Sequence, residues 1–142
     1  MRLLISLITI LLPLSASAQP PEGQDWWACQ SVESAGLNWE DRQWKTTRFK
    51  SNERFILIAE GDGLQKESVA KAMGTSTGAI ECPEAMGLEF FTYCIDEYMG
   101  TSFAFHSKNG QGTIATIFGG VQSSDRDDRD SLTVMPFECT KG

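Results

Sequence analysis

The sequence predicts a mainly β domain: an antiparallel barrel or sandwich of six to eight short strands with one short helix at about residues 62–74. Three observations carry this. From Trp26 onward the chain is built of short runs in which apolar and polar residues alternate, the two-residue period of a strand with one face buried. The runs are separated by clusters of Gly, Asn, Asp and Ser, which break strands and make turns. Only one stretch shows helical spacing, and it is short.

The elements follow in order. Gln19 to Gln24 holds Pro20, Pro21 and Gly23, so residues 19–25 read as a disordered lead-in. Trp27 to Val32 is the first expected strand. Leu37 to Trp39 and Gln43 to Phe49 flank the polar Glu40-Asp41-Arg42, which predicts a hairpin. Phe55-Ile56-Leu57-Ile58-Ala59 is a continuous apolar run, expected to be buried on both faces or central in a sheet. Asp62 and Gln65 have the spacing of a capping box, Leu64, Val69, Ala72 and Met73 share one helical face, and Gly74 is the expected stop. A short strand is expected at Ala79 to Cys82.

Beyond it, Leu88, Phe90, Thr92 and Cys94 alternate with Glu89, Phe91, Tyr93 and Ile95. Phe103 and Phe105 alternate with Ala104 and His106. Asn109-Gly110 is the strongest turn signal, because Asn-Gly tolerates the positive φ angles of a type I′ turn. Thr113 to Phe118 returns as the partner strand. Gly119 to Asp130 is a polar loop. Ser131 to Cys139 closes the chain, with Leu132 and Val134 on one face and Thr133, Met135 and Phe137 on the other.

The first eighteen residues have a different grammar. Met1-Arg2 is a short positive segment, Leu3 to Leu14 is apolar, and Ala16-Ser17-Ala18 supplies the small residues read at a cleavage site. Residues 1–18 are expected to be a signal peptide, cut before Gln19. The apolar run is shorter than the ~20 residues a membrane-spanning helix needs. This leaves about 124 residues, with 26–142 expected to form a single domain in the periplasm or outside the cell.

All four cysteines, Cys29, Cys82, Cys94 and Cys139, lie in that domain. An even count in an exported chain predicts disulfides, with three connectivities open. Cys82–Cys94 with Cys29–Cys139 is favoured, since it closes one short loop and ties the two ends together. Zinc needs closely paired ligands, usually with histidines; here the closest pair is twelve apart and His106 is the only histidine.

The closing stretch runs Gly110-x-Gly112-Thr113-Ile114 and later Asp130-Ser131-Leu132-Thr133-Val134-x-Pro136-Phe137-x-Cys139. With Trp27-x-Cys29 it resembles a group of small exported bacterial proteins without an established activity, a likeness that brings no catalytic motif. Size, leader and cysteine count are also similar to periplasmic lysozyme inhibitors with lipocalin-like barrels, in architecture only.

Charge and aromatic placement bear on partners. The whole chain carries −7, and −8 once Arg2 is removed with the leader. That acidity opposes nucleic acid and anionic lipid and favours a basic protein partner. Asp125-Arg126-Asp127-Asp128-Arg129-Asp130 is the densest charge cluster. Calcium-loop spacing fails in it, because from Asp125 the fifth position is Arg129 and the sixth is Asp130. A solvated loop is expected. Asp125, Asp127 and Asp128 are candidate binding-surface residues, together with Trp26 and Trp27, since two adjacent tryptophans on one strand cannot both point inward.

Chemistry is thinly signalled. Acidic neighbours such as Asp96/Glu97, Glu60/Asp62 and Glu81/Glu84 could in principle flank a glycosidic bond, but any acidic chain offers such pairs. His106 is expected to face solvent. No phosphate loop, nucleophile elbow, cofactor motif or metal motif stands out, and no catalytic residue is assigned. The expected function is an exported non-enzymatic binding protein, of inhibitor or immunity type. A lipocalin-like carrier of a small apolar ligand and a small hydrolase using acidic residues are the alternatives.

Overall fold

The computed structural model describes residues 23–83, 88–117 and 131–142. Its strands are β1 (Trp26–Ser31), β2 (Ser34–Glu40), β3 (Gln43–Phe49), β4 (Arg54–Glu60), β5 (Gly63–Leu64), β6 (Ile80–Glu81), β7 (Phe91–Asp96), β8 (Thr101–His106), β9 (Gln111–Thr116) and β10 (Ser131–Lys141). The helix α1 spans Lys66–Met73, and a 3₁₀ turn covers Thr77–Ala79. The strands form an antiparallel sheet, curled into a half-barrel, in the order β5-β4-β1-β10-β9-β8-β7-β6. β2 also pairs with β10, and β3 with β2.

β1 and β2 lie end to end along one side of β10. Trp27 to Ser31 pair with Lys141 to Phe137, and Ala35 to Asn38 pair with Val134 to Ser131. Between them the chain breaks register at Val32–Glu33, where Val32 N–H donates to Pro136 C=O. That break explains a proline in a central strand. The N–H that Pro136 lacks would point to the side where β1 gives way to β2, so no ladder bond is lost.

Alternation sorts the side chains. Phe103 and Phe105 of β8, Ile114 of β9, Phe137 of β10, Cys94 of β7, Trp27 and Cys29 of β1 and Leu57 of β4 are buried together. Val69 and Ala70 of α1 join the same core, so the helix closes one side of the curl. Phe137 is its hub. Its ring lies 5.0 Å from Phe55, 5.6 Å from Phe103 and 6.1 Å from Phe105, as edge-on and stacked aromatic contacts. Ring-on-ring packing thus fills the interior at its centre.

Both disulfides join directly opposed residues of neighbouring strands or their extensions. Cys29 faces Cys139 across β1 and β10, and Cys82 follows β6 to reach Cys94 on β7. This is the connectivity that loop lengths favour.

Three local expectations need correction. The helix starts at Lys66, with Gln65 in the capping position and no side-chain cap; Asp62 sits instead in the turn between β4 and β5. Gly61, at φ 56°, makes that turn, and the short β5 strand it allows displaces the first helical turn. Gly74 does end α1, at φ 70°, with its N–H on Lys71 C=O. The Phe55–Ala59 run is not central: β4 has β1 on one side and only β5 on the other, and of the run only Leu57 is fully buried. Finally, Ser107–Gly110 form a four-residue turn in which Gly110 alone has positive φ. Asn109 Oδ1 accepts from Gln111 N–H and holds that turn, in place of a two-residue type I′ bend.

Candidate binding surface

The expected surface residues divide. Trp27 is 7% exposed, packs edge-on against Phe105 at 5.5 Å, and belongs to the core; it is no surface anchor. The register explains this: Trp27 lies opposite Leu57 of β4, on the inward face. Trp26, on the other face, is half-buried under the C-terminus, where Gly142 N–H donates to Trp26 C=O at 2.9 Å and the glycine sits against the indole. Asp125, Asp127 and Asp128 lie outside the described residues. His106 points outward as expected but is half-buried, and its Nδ1 is shielded without a hydrogen-bond partner.

At one end of the sheet the β7–β8 turn presents apolar side chains outward. Tyr98 is 80% exposed and Met99 58%, and Ile117, tied to this turn by its N–H on Gly100 C=O, is 57% exposed. The turn is built by Asp96, whose own exposure is zero. Asp96 Oδ1 accepts the N–H groups of Tyr98 and Met99 at 2.9 and 3.0 Å, and Thr75 Oγ1 donates to Oδ2. The Thr75 hydroxyl, then the Met99 and Tyr98 amides, hold the carboxyl below the usual carboxylate range against the opposing effect of burial. A buried carboxylate thus fixes the loop that displays Tyr98 and Met99. Asp96 is thereby engaged in holding this turn.

The β2–β3 hairpin reaches toward the same end. Its two-residue turn, Asp41-Arg42, has φ of 51° and 64°, the type I′ geometry that normally takes glycine at the second position. Trp39 and Trp44 face each other across the strands, edge-on at 5.3 Å, and both are half-exposed. Lys45 binds Asp41 at 2.5 Å and Glu40 at 3.5 Å. The Lys45 hydrogen bond lowers the Asp41 carboxyl below its ordinary value, and the same bond raises the Lys45 ammonium. Ala35, Gly36, Thr46, Thr47 and Arg48 line a shallow open groove on this hairpin. Gly36 is required there, since a Cβ would meet Leu132 C=O of the adjoining β10.

At the opposite end, Phe90 holds a φ of 65°, an uncommon angle for a bulky residue, with its ring half-exposed. Lys108 Nζ sits 5.7 Å from that ring and His106 6.4 Å from it.

Sequence patterning did not single out Tyr98, Met99 or Ile117: the first two lie in a turn, and Ile117 falls inside the expected strand Thr113 to Phe118, whereas β9 ends at Thr116 and leaves it beside that turn. Five of the twelve Lys and Arg residues do fall within 42–54, a bias that was open to reading in the sequence.

Among the described residues no group of three His, Cys, Asp or Glu side chains converges to hold a metal, and no helix is long and apolar enough to cross a membrane. The chain matches no known family, no curated protein and no solved structure.

Proposed function

We propose that this chain is an exported, non-enzymatic binding protein that engages a basic protein partner, as an inhibitor or immunity-type protein does. The carrying observation is the exposed trio Tyr98, Met99 and Ile117, displayed by a turn that a buried Asp96 holds rigid. Exposed aromatic and apolar side chains on a preorganised turn are suited to anchoring in a partner's pocket. The net charge, −8 once the leader is removed, would steer a basic partner toward them. Two disulfides and the apolar leader support periplasmic or secreted placement. The phenylalanine packing around Phe137 supports a surface binder over a carrier, which would need an open apolar chamber.

The test is titration of the purified mature chain against a panel of basic cell-wall hydrolases, at low and at high salt. A salt-sensitive complex with one of them, weakened at least about tenfold by Met99→Ala with Ile117→Ala, is expected. Absence of any complex at low salt, or full binding by the double variant, would overturn this reading.

A further inference from the structure

A second surface has the opposite charge. β3 pairs only with β2, so among the described residues it is an edge strand. In a hairpin closed by a two-residue turn, the residues flanking the turn exchange hydrogen bonds, and every second residue after them points its N–H and C=O away from the partner. Glu40 and Gln43 flank this turn, so Gln43, Lys45, Thr47 and Phe49 bond to β2. Thr46 and Arg48 direct their backbone groups to the open edge, and both residues are exposed.

The same edge is cationic. Residues 42–54 hold Arg42, Lys45, Arg48, Lys50 and Arg54 against one carboxylate, Glu53. Lys45 is neutralised by Glu40 and Asp41. Arg42, Arg48, Lys50 and Arg54 are exposed and have no ion pair among the described residues.

Charges on an edge commonly guard it against pairing with its own kind. Here they do so: a second copy of β3 added antiparallel about Thr46 would bring Arg42, in the turn before the strand, toward the Lys50 that follows the strand in the other copy, at both ends of the pairing. Like charges directly opposite are destabilising. The charges that exclude a copy of this chain select a strand of opposite sign.

We propose that β3 is a docking edge for an extended acidic peptide segment of a protein partner, which adds to the sheet beside Thr46 and Arg48 and sets its carboxylates against Arg42, Arg48 and Lys50. Backbone hydrogen bonds at the edge supply the pairing and the cations supply the choice of sequence. This goes beyond the reading above, since it concerns a separate surface and a partner segment of opposite charge.

The probe is a labelled heptapeptide alternating Glu with Thr or Val, blocked at both ends, titrated into the mature chain at low salt. Its counterpart has Lys in place of Glu. The acidic peptide is expected to bind and the basic one not, with Arg48→Glu plus Lys50→Glu weakening binding at least about tenfold. Hydrogen exchange read by NMR is expected to slow at the Thr46 and Arg48 amides when peptide is added. Thr46→Pro removes an outward N–H while sparing the hydrogen bonds to β2, and should abolish that binding; Thr46→Ala, which keeps the N–H, should not. The proposal is overturned if the acidic peptide does not bind, or if Thr46→Pro binds it as the parent does in a folded chain. Loss on charge reversal without slowed exchange at Thr46 and Arg48 would overturn it too, as mere charge attraction. Because Met99 and Ile117 take no part, their double variant should bind the peptide unchanged, which separates failure here from failure of the hydrolase test.

Discussion

The ring of Phe137 lies so close over Gly112 that a Cβ on the glycine would come within 2.2 Å of it, with Ala104 C=O at 2.6 Å behind. The two residues are direct partners on β10 and β9. The missing side chain of one makes the seat of the other. Gly112→Ala should therefore destabilise the fold by about 2 kcal/mol or more, as overpacking does. Phe137→Ala should cost about 4 kcal/mol as a large-to-small change. In the double variant the two losses should fall short of their sum, since the part of the clash made by the ring disappears and only that with Ala104 C=O remains. Urea unfolding of the three variants measures this, and simple additivity would contradict it.

Arg42 holds the second position of a type I′ turn at φ 64°, where glycine is ordinarily favoured. Arg42→Gly should stabilise the chain by about 0.5–1 kcal/mol, the relief of left-handed strain less the extra freedom of an unfolded glycine. The same change should weaken the acidic peptide. A chain that is both more stable and a poorer binder would show that the arginine serves recognition at the expense of the turn.

Asp96 makes stability depend on acid pH. Its folded carboxyl titrates below the ordinary value, through Thr75 and the two turn amides. The stabilisation it contributes is therefore complete above the unfolded carboxyl range, near pH 4, and is lost as pH falls through the lower folded value. Melting temperature measured from pH 7 down to pH 2 should drop on the acid side. Asp96→Asn should melt lower at pH 7 and show a shallower acid decline. An unchanged decline in that variant would assign the acid sensitivity elsewhere.

The two disulfides differ in span, 110 residues against 12. Constraint of the unfolded chain predicts losses of about 5 kcal/mol for Cys29→Ala with Cys139→Ala and about 3 for Cys82→Ala with Cys94→Ala. Guanidinium unfolding of the two double variants compares them directly. Equal losses would point away from chain entropy and toward local packing.

Much of the fold was legible because strands carry a two-residue period. The inward set Phe103, Phe105 and Phe137 and the outward Ala104, Val134 and His106 follow from alternation alone. Phe55 to Ala59 misled because a continuous apolar run reports burial without saying where in a sheet the strand lies. Asp62 misled because a residue suited to a helix cap is equally suited to a turn, and Gly61 decided between them through tertiary pairing of β5. Trp26 and Trp27 were known to point opposite ways, but which one points inward depends on the register against Leu57, a contact thirty residues away. The edge character of β3 depends on the order of strands in the sheet, which local patterning does not encode.

Trp27 pairs with Lys141, Ala28 with Thr140 and Cys29 with Cys139, and Asp25 binds Lys141 at 2.7 Å. Both ends of the domain thus leave from the same corner, on adjacent strands. Tension applied between residues 25 and 142 would open this seam one rung at a time, as a zipper opens. It meets a covalent bond at the third rung. Mechanical load on this seam is shunted through sulfur before it reaches the β2–β3 hairpin or the Asp96 turn, so the domain could be tethered at either end and pulled without either of them changing shape.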